Sequence, residues 1–133
     1  MLLDNHGRKC ALIIEDEPII GQACLRVLSA EGFEVDLAEN GLIAKELILK
    51  KSYDLCLSDI KIPKINGVDL YRYIEKEHAA LADKVIFTTG DLLSKDTWLF
   101  LKEVDRPFLL KPFTPDQLKS VVKEFGNCTG FTN

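Results

Sequence analysis

No two of the four cysteines, at positions 10, 24, 56 and 128, stand in a CxxC spacing, and the two histidines, His6 and His78, form no pair near them. Neither a zinc site nor a thioredoxin-type redox motif is indicated. Cys10 and Cys56 fall inside apolar runs, where a free cysteine acts as a small buried hydrophobe, and that usage suits a reducing cytoplasm. Positive charge is not in excess either: 17 basic against 21 acidic residues give a formal net charge of -4, with both signs interspersed. Such a balance carries no electrostatic footprint for nucleic acid or an anionic membrane, so direct DNA binding and membrane contact are not expected. No apolar run approaches the length of a membrane span, and residues 1–9 lack the apolar core of a signal peptide and read as a polar leader. Low-complexity tracts, internal repeats and long linkers are all missing, and 133 residues suit one domain that buries its own core.

What the sequence does hold is one stretch around which the rest can be ordered. Leu55-Cys56-Leu57-Ser58-Asp59 is a short apolar run that ends on a carboxylate, and Pro63 and Gly67 follow before an amphipathic pattern begins. This reads as strand, loop and helix. Asp59 taken alone could simply cap the loop through its side chain. A carboxylate at the end of a buried strand is costly unless it is used, however, and in an open parallel sheet that end lies at the mouth of a ligand crevice.

The same succession repeats along the chain. Cys10 to Ile14 is a buried strand followed by Glu15-Asp16-Glu17, and Pro18 opens a helix carrying Ile19, Ile20, Ala23, Leu25, Val27 and Leu28. Phe33 to Ala38 alternates like a half-exposed strand, and Asn40 is placed to cap a helix bearing Ile43, Ala44, Leu47 and Ile48. After the central strand, a third helix carries Val68, Leu70, Tyr71 and Ile74. Lys84 to Thr89 forms a strand stopped by Gly90, and Ser94 can cap a helix through Trp98, Leu101 and Val104. Pro107 to Leu110 is a short fifth strand, and Thr114-Pro115 starts a last helix through Leu118, Val121, Val122 and Phe125. Five alternating strands and five helices predict an α/β fold, a doubly wound parallel sheet over residues 10–126 with a tail at 127–133.

The strand ends then present Glu15 and Asp16, Asp59, Thr89 and Lys111. Carboxylates so gathered repel one another, by roughly 4 kcal/mol per pair at 4 Å and an effective dielectric of 20. A hard cation with oxygen ligands relieves this, which suits Mg²⁺, with Mn²⁺ as its substitute. Such a cation, a lysine ammonium and a threonine hydroxyl around one carboxylate are what phosphoryl transfer needs, with Asp59 as the attacking group and an aspartyl phosphate as the product.

Ile13-Ile14-Glu15-Asp16-Glu17-Pro18, the run Asp59-x-x-x-Pro63-x-x-x-Gly67, Thr89-Gly90 and Lys111-Pro112-Phe113 together resemble the receiver domain of two-component response regulators, of CheY-like type, from residue 10 to about residue 125. The resemblance implies a flavodoxin-like sheet of order 2-1-3-4-5. It makes Asp59 the phosphoacceptor and Asp16 a direct metal ligand, with Glu15 an outer ligand through water and the Lys61 backbone carbonyl completing the protein's share. Thr89 and Lys111 would bind phosphoryl oxygens, and Lys111-Pro112 would be cis. The donor would be a histidine kinase or a histidine phosphotransfer domain, and phosphorylation would switch the surface of the fourth helix, fifth strand and fifth helix.

The departures also carry information. Glu15 stands where Asp is more usual, and Phe108, the switch aromatic, stands where many members have Tyr. Phe108 can swing inward with Thr89 but has no hydroxyl to report the movement. Val104-Asp105-Arg106-Pro107 and the run into Lys111-Pro112-Phe113 are more similar to receivers attached to hybrid histidine kinases. Lys61 and Asp91 lie two residues beyond Asp59 and Thr89, either as two exposed charges or as modulators of phosphate lifetime. Trp98 and Lys102 share a helix face that is either partner surface or ordinary exposure, and His6 and His78 read as surface residues.

The leading reading is thus a signalling switch, not an enzyme acting on external substrates. Two others stand beside it: a Mg²⁺-dependent phosphatase-like hydrolase with an Asp nucleophile, and a flavodoxin-like cofactor binder. The hydrolase would need a second acid where Lys61 sits, and the cofactor binder would need a first turn that is not acidic. The sequence stops soon after its last predicted helix, which is compatible with a stand-alone receiver, a piece of a hybrid kinase or the front of a longer regulator. It leaves oligomeric state open.

Overall fold

The computed structural model describes residues 8–129, with side chains to residue 125, so His6, the Cys128 side chain, most of the leader and the end of the tail lie outside the described residues. Five parallel strands, β1 (Lys9–Ile14), β2 (Phe33–Ala38), β3 (Leu55–Asp59), β4 (Val85–Thr89) and β5 (Phe108–Leu110), form one sheet in the order β2-β1-β3-β4-β5. Between and after them run α1 (Pro18–Ala30), α2 (Gly41–Lys50), α3 (Gly67–Glu77), α4 (Ala79–Ala82), α5 (Lys95–Val104) and α6 (Pro115–Thr129). The three central strands are buried on both faces, which is why they read as continuous apolar runs, whereas β2 at the edge alternates. No helix among the described residues is long and apolar enough to cross a membrane.

The helix starts follow local chemistry. Asn40 accepts from the Ile43 N–H at 2.9 Å, Asn66 from Asp69 at 2.9 Å and Ser94 from Thr97 at 3.3 Å, each satisfying a donor the helix leaves unpaired. Thr114 and Gln117 cap one another reciprocally at the start of α6, at 2.8 and 3.1 Å.

Two corrections to the sequence reading arise here. Among the described residues there are six helices and not five: α3 ends where His78 leaves helical geometry (φ -142, ψ 56), and the chain then makes one more turn, α4, that buries Leu81 and Ala82. A single turn is too short to show periodicity. His78 itself is half-buried, with Nε2 3.0 Å from the Tyr73 hydroxyl, and is not a plain surface residue.

Two hydrophobic layers sandwich the sheet. One joins β1, β3 and β4 to α2, α3 and α5 and contains a triangle of edge-on rings, Tyr71, Phe87 and Phe100, with centroids 5.2 to 5.9 Å apart. The other lies under α1 and α6 and includes Cys24, Leu28, Leu118 and Phe125.

Candidate functional site

The strands end nearly level at their carboxyl edge. Ile14 of β1 stands beside Ser58 of β3, Asp59 beside Thr88 of β4, and Thr89 beside Leu110 of β5. The residues that follow these ends therefore meet at the reversal of strand order, where open α/β sheets bind ligands.

Lys111 draws the acids together. Its Nζ lies 2.9 Å from Asp59 Oδ2 and 2.9 Å from Glu15 Oε1, with Glu17 farther off at 3.9 Å. Glu15 and Asp59 are only 5% and 6% exposed, so each carboxylate is a buried charge, while Asp16 and Glu17 stand at the open mouth. Burial pushes the Glu15 and Asp59 carboxyls above their ordinary values. The Lys111 ammonium pulls both back, Asp59 pushes Glu15 up and Asp16 pushes Asp59 up, and the net direction is upward. Burial works against the ammonium itself, but its bonds to Asp59 and Glu15 prevail and hold it above its ordinary value.

Three carboxylates, Glu15, Glu17 and Asp59, thus lie within 4 Å of one ammonium, with Asp16 beside them, and every side-chain ligand atom these acids offer is an oxygen. Oxygens of Glu15, Asp16 and Glu17 lie within 4.8 Å of one another, so the surplus negative charge and the donor type fit a hard divalent cation such as Mg²⁺.

Thr89 is 1% exposed at the end of β4, and its Oγ1 accepts the Asp91 N–H at 3.1 Å, which leaves the hydroxyl proton for another acceptor. Lys61 and Asp91 do meet across the mouth, Nζ to Oδ2 at 2.8 Å, and the Lys61 N–H points to Asp59 Oδ1 at a long 3.4 Å. Asp91 also receives the Ser94 N–H at 3.1 Å, so one residue ties the Lys61 loop to the Thr89 loop and to the start of α5. Phe108 is half-buried against the first core layer, opposite Phe87. The Lys111–Pro112 peptide bond is cis.

Three features carried no assigned role in the sequence. Glu17 joins the acidic mouth, a place that its adjacency to Glu15 and Asp16 could have suggested. Cys24 is buried behind Glu15, and burial, reinforced by the Glu15 charge, pushes its thiol up to about 11. An apolar groove of about 430 Å³ runs between α1 and α6 beside Lys111, lined by Ile20, Ala23, Cys24, Phe113 and Leu118, with Ile19 86% exposed at its lip.

The family model described as response regulator receiver domain matches residues 11–123. The probable transcriptional regulator ycf29 of Porphyra purpurea is 34% identical over 84% of this chain and 54% of its own length. The transcriptional regulatory protein CusR of Escherichia coli is 33% identical over 84% of this chain and 48% of its own, so the chain spans about half the length of these relatives. Among solved structures, the response regulator TrrA of Thermotoga maritima in complex with Mg(2+)-BeF has a TM-score of 0.75 at 32% identity, covering 88% of this chain and 98% of that one. A CheY-like receiver domain protein from Methanospirillum hungatei has a TM-score of 0.81 at 25% identity, covering 95% and 100%.

Proposed function

Because the chain belongs to the response regulator receiver domain family, we propose that it is a phosphorylation-operated switch whose acceptor is Asp59. The observation that carries this is a carboxylate buried at the end of β3 with the Lys111 ammonium 2.9 Å away and a surplus of acid at the mouth. A donor imidazole carrying a phosphoryl group would bring it to Asp59. The P–O bond to Asp59 forms as the P–N bond breaks, and the leaving imidazole takes up a proton. Lys111 and the Thr89 hydroxyl would hold the phosphoryl oxygens. Asp16, Asp59 and the Lys61 carbonyl would hold Mg²⁺, which when bound neutralises charge on the transferring group.

The donor would be a histidine kinase or a phosphotransfer protein. The groove beside Lys111 supports this assignment, since an apolar segment seated between α1 and α6 would be continuous with the site. Thr89 and Phe108 moving toward the phosphoryl group would then alter the surface of α5, β5 and α6, where Trp98 and Leu110 are half exposed. We assign no nucleic-acid contact to these residues; the two named transcriptional regulators extend well beyond the matched region.

Intact mass after incubation with Mg²⁺ and acetyl phosphate tests the acceptor. One added phosphoryl group, labile to hydroxylamine, is expected on the wild type and on neither Asp59→Asn nor chelator-treated protein. Steady phosphate release without an adduct would point to a hydrolase instead.

The Lys61–Asp91 pair is exposed and contributes little to stability, so its effect should be kinetic. We read it as shielding the phosphoryl group from attacking water. Exchanging both residues for Ala should shorten the phosphate lifetime severalfold with an unchanged unfolding midpoint, and an unaltered lifetime would remove the idea.

A further inference from the structure

At the amino ends of β3 and β4, the end of the sheet opposite Asp59, lies a second cavity, of about 340 Å³. That volume falls within the range of about 300–1,000 Å³ in which small-molecule sites occur. Three segments meet around it: the turn after α2, the break between α3 and α4, and the residue that leads into β4. Its polar lining is Lys51, Ser52, His78 and Lys84, and Ile48, Tyr53 and Leu81 supply an apolar wall. No acid among the described residues lines it, although the chain carries 21 acidic against 17 basic residues.

The cations of the lining are not equivalent. Lys51 is already held by Asp36 at 3.0 Å and Glu34 at 3.9 Å, so its charge is largely answered inside the protein. Lys84 is half-buried and makes no ion pair among the described residues, and its neighbour Asp83 is exposed and lies outside the lining. A half-buried ammonium without a carboxylate is a ready partner for an anion that enters. His78 engages the Tyr73 hydroxyl through Nε2 at 3.0 Å, which leaves Nδ1 as its second polar atom. Tyr53, by contrast, has its hydroxyl bonded to Asp36 at 2.8 Å.

We propose that this cavity binds a small organic anion, a carboxylate or phosphate-like group on a compact apolar body. Lys84 meets the acidic head, with Ser52 and His78 as hydrogen-bond partners, and the body lies on Ile48, Tyr53 and Leu81. A bare inorganic anion would leave the apolar wall uncovered, and a neutral molecule would leave Lys84 unanswered. The cavity lies away from the acidic mouth, so the proposal stands or falls apart from the phosphoacceptor reading.

Backbone amide shifts of the isotope-labelled chain, recorded in chelator, test it with benzoate and phenylphosphonate as probes and neutral benzamide as the control. The anions should move the amides of residues 51–53 and 78–84 to saturation, at least about tenfold more tightly than benzamide, the margin of a charge-assisted contact. Lys84→Gln should weaken the anions about tenfold and leave benzamide as it was. Ala80 lines the cavity and is exposed, so Ala80→Phe should fill the space, abolish binding of both anions and keep the urea midpoint of the wild type. Saturation by only one anion supports the site and fixes its head group. Benzamide binding as tightly as the anions, shifts confined to the amides around Lys111, no shifts at all, or a Lys84→Gln variant that binds the anions like wild type would each overturn the proposal. Should either variant unfold, the wild-type comparison between the anions and benzamide still decides.

Discussion

Replacing Lys111 by Ala is expected to slow phosphorylation of Asp59 by about a hundredfold, the usual cost of removing one charged group that meets charge developing in a transition state. The lysine stands 2.9 Å from the Asp59 carboxylate and is itself mostly buried, so water cannot take its place efficiently. The change also leaves two buried carboxyls without the ammonium that pulls them down, and both should rise further above their ordinary values of 4.5 and 3.8. An acid whose folded pKa is raised binds more protons folded than unfolded. Its contribution to stability is therefore fully present below the unfolded pKa and is lost as the pH rises through the folded one.

The variant should accordingly match the wild type most closely in acid and lose about 2 kcal/mol at neutral pH, in the range for a buried charged group left without its partner. Because Asp59 must be ionised to attack, the acid limb of the rate profile should move to higher pH as well. Urea unfolding across pH, together with the rate of adduct formation by intact mass, checks both halves. A variant equally destabilised at every pH would mean that the lysine matters only for packing.

How much of this could be read from the chain differs from element to element. Strand ends were legible because each apolar run stops abruptly at a residue that costs energy to bury, Glu15, Asp59 and Lys111, and only a shared purpose justifies that cost three times. The helix starts at Asn40 and Ser94 were legible because a cap is a local contact within three residues. The inward face of α1 was not. Apolar side chains occur almost all the way round that helix, so periodicity is degenerate: Ile19 points to solvent, while Gly21, Cys24 and Leu28 face the sheet.

The loops hid more. Lys64 adopts a left-handed conformation (φ 74) between Pro63 and Ile65, which no local signal announces. The joining of Lys61 to Asp91 depends on how two separate loops fold over the mouth. The meeting of residues from different strands could be expected from the topology, but its distances could not.

The second large effect comes from a residue with no side chain. Gly67 opens α3 eight residues after Asp59, and its N–H returns to the Ile60 carbonyl at 2.8 Å, which folds the loop back onto the end of β3. A Cβ there would lie 2.5 Å from the Asp59 carbonyl oxygen, 2.7 Å from Ile60 Cα and 2.8 Å from the Ile60 oxygen, all backbone atoms that cannot turn aside. Either α3 or the acceptor strand must move. Overpacking of this kind costs about 3 kcal/mol when backbone must shift, so Gly67→Ala should lower the melting temperature by about 10 °C. The displacement falls on Asp59 itself, and misplacing a reacting group by about 1 Å can cost about a hundredfold in rate, so phosphorylation should fail even in the protein that remains folded. Gly90, next to Thr89, supplies the contrast: a Cβ there meets only Lys111 Cβ at 3.9 Å, an ordinary contact, and Gly90→Ala should leave both melting and adduct formation near wild type. If the two alanine variants behaved alike, the close approach of Gly67 to Asp59 would not be what sets the acceptor's position, and the Asp59-to-Gly67 spacing would need another explanation.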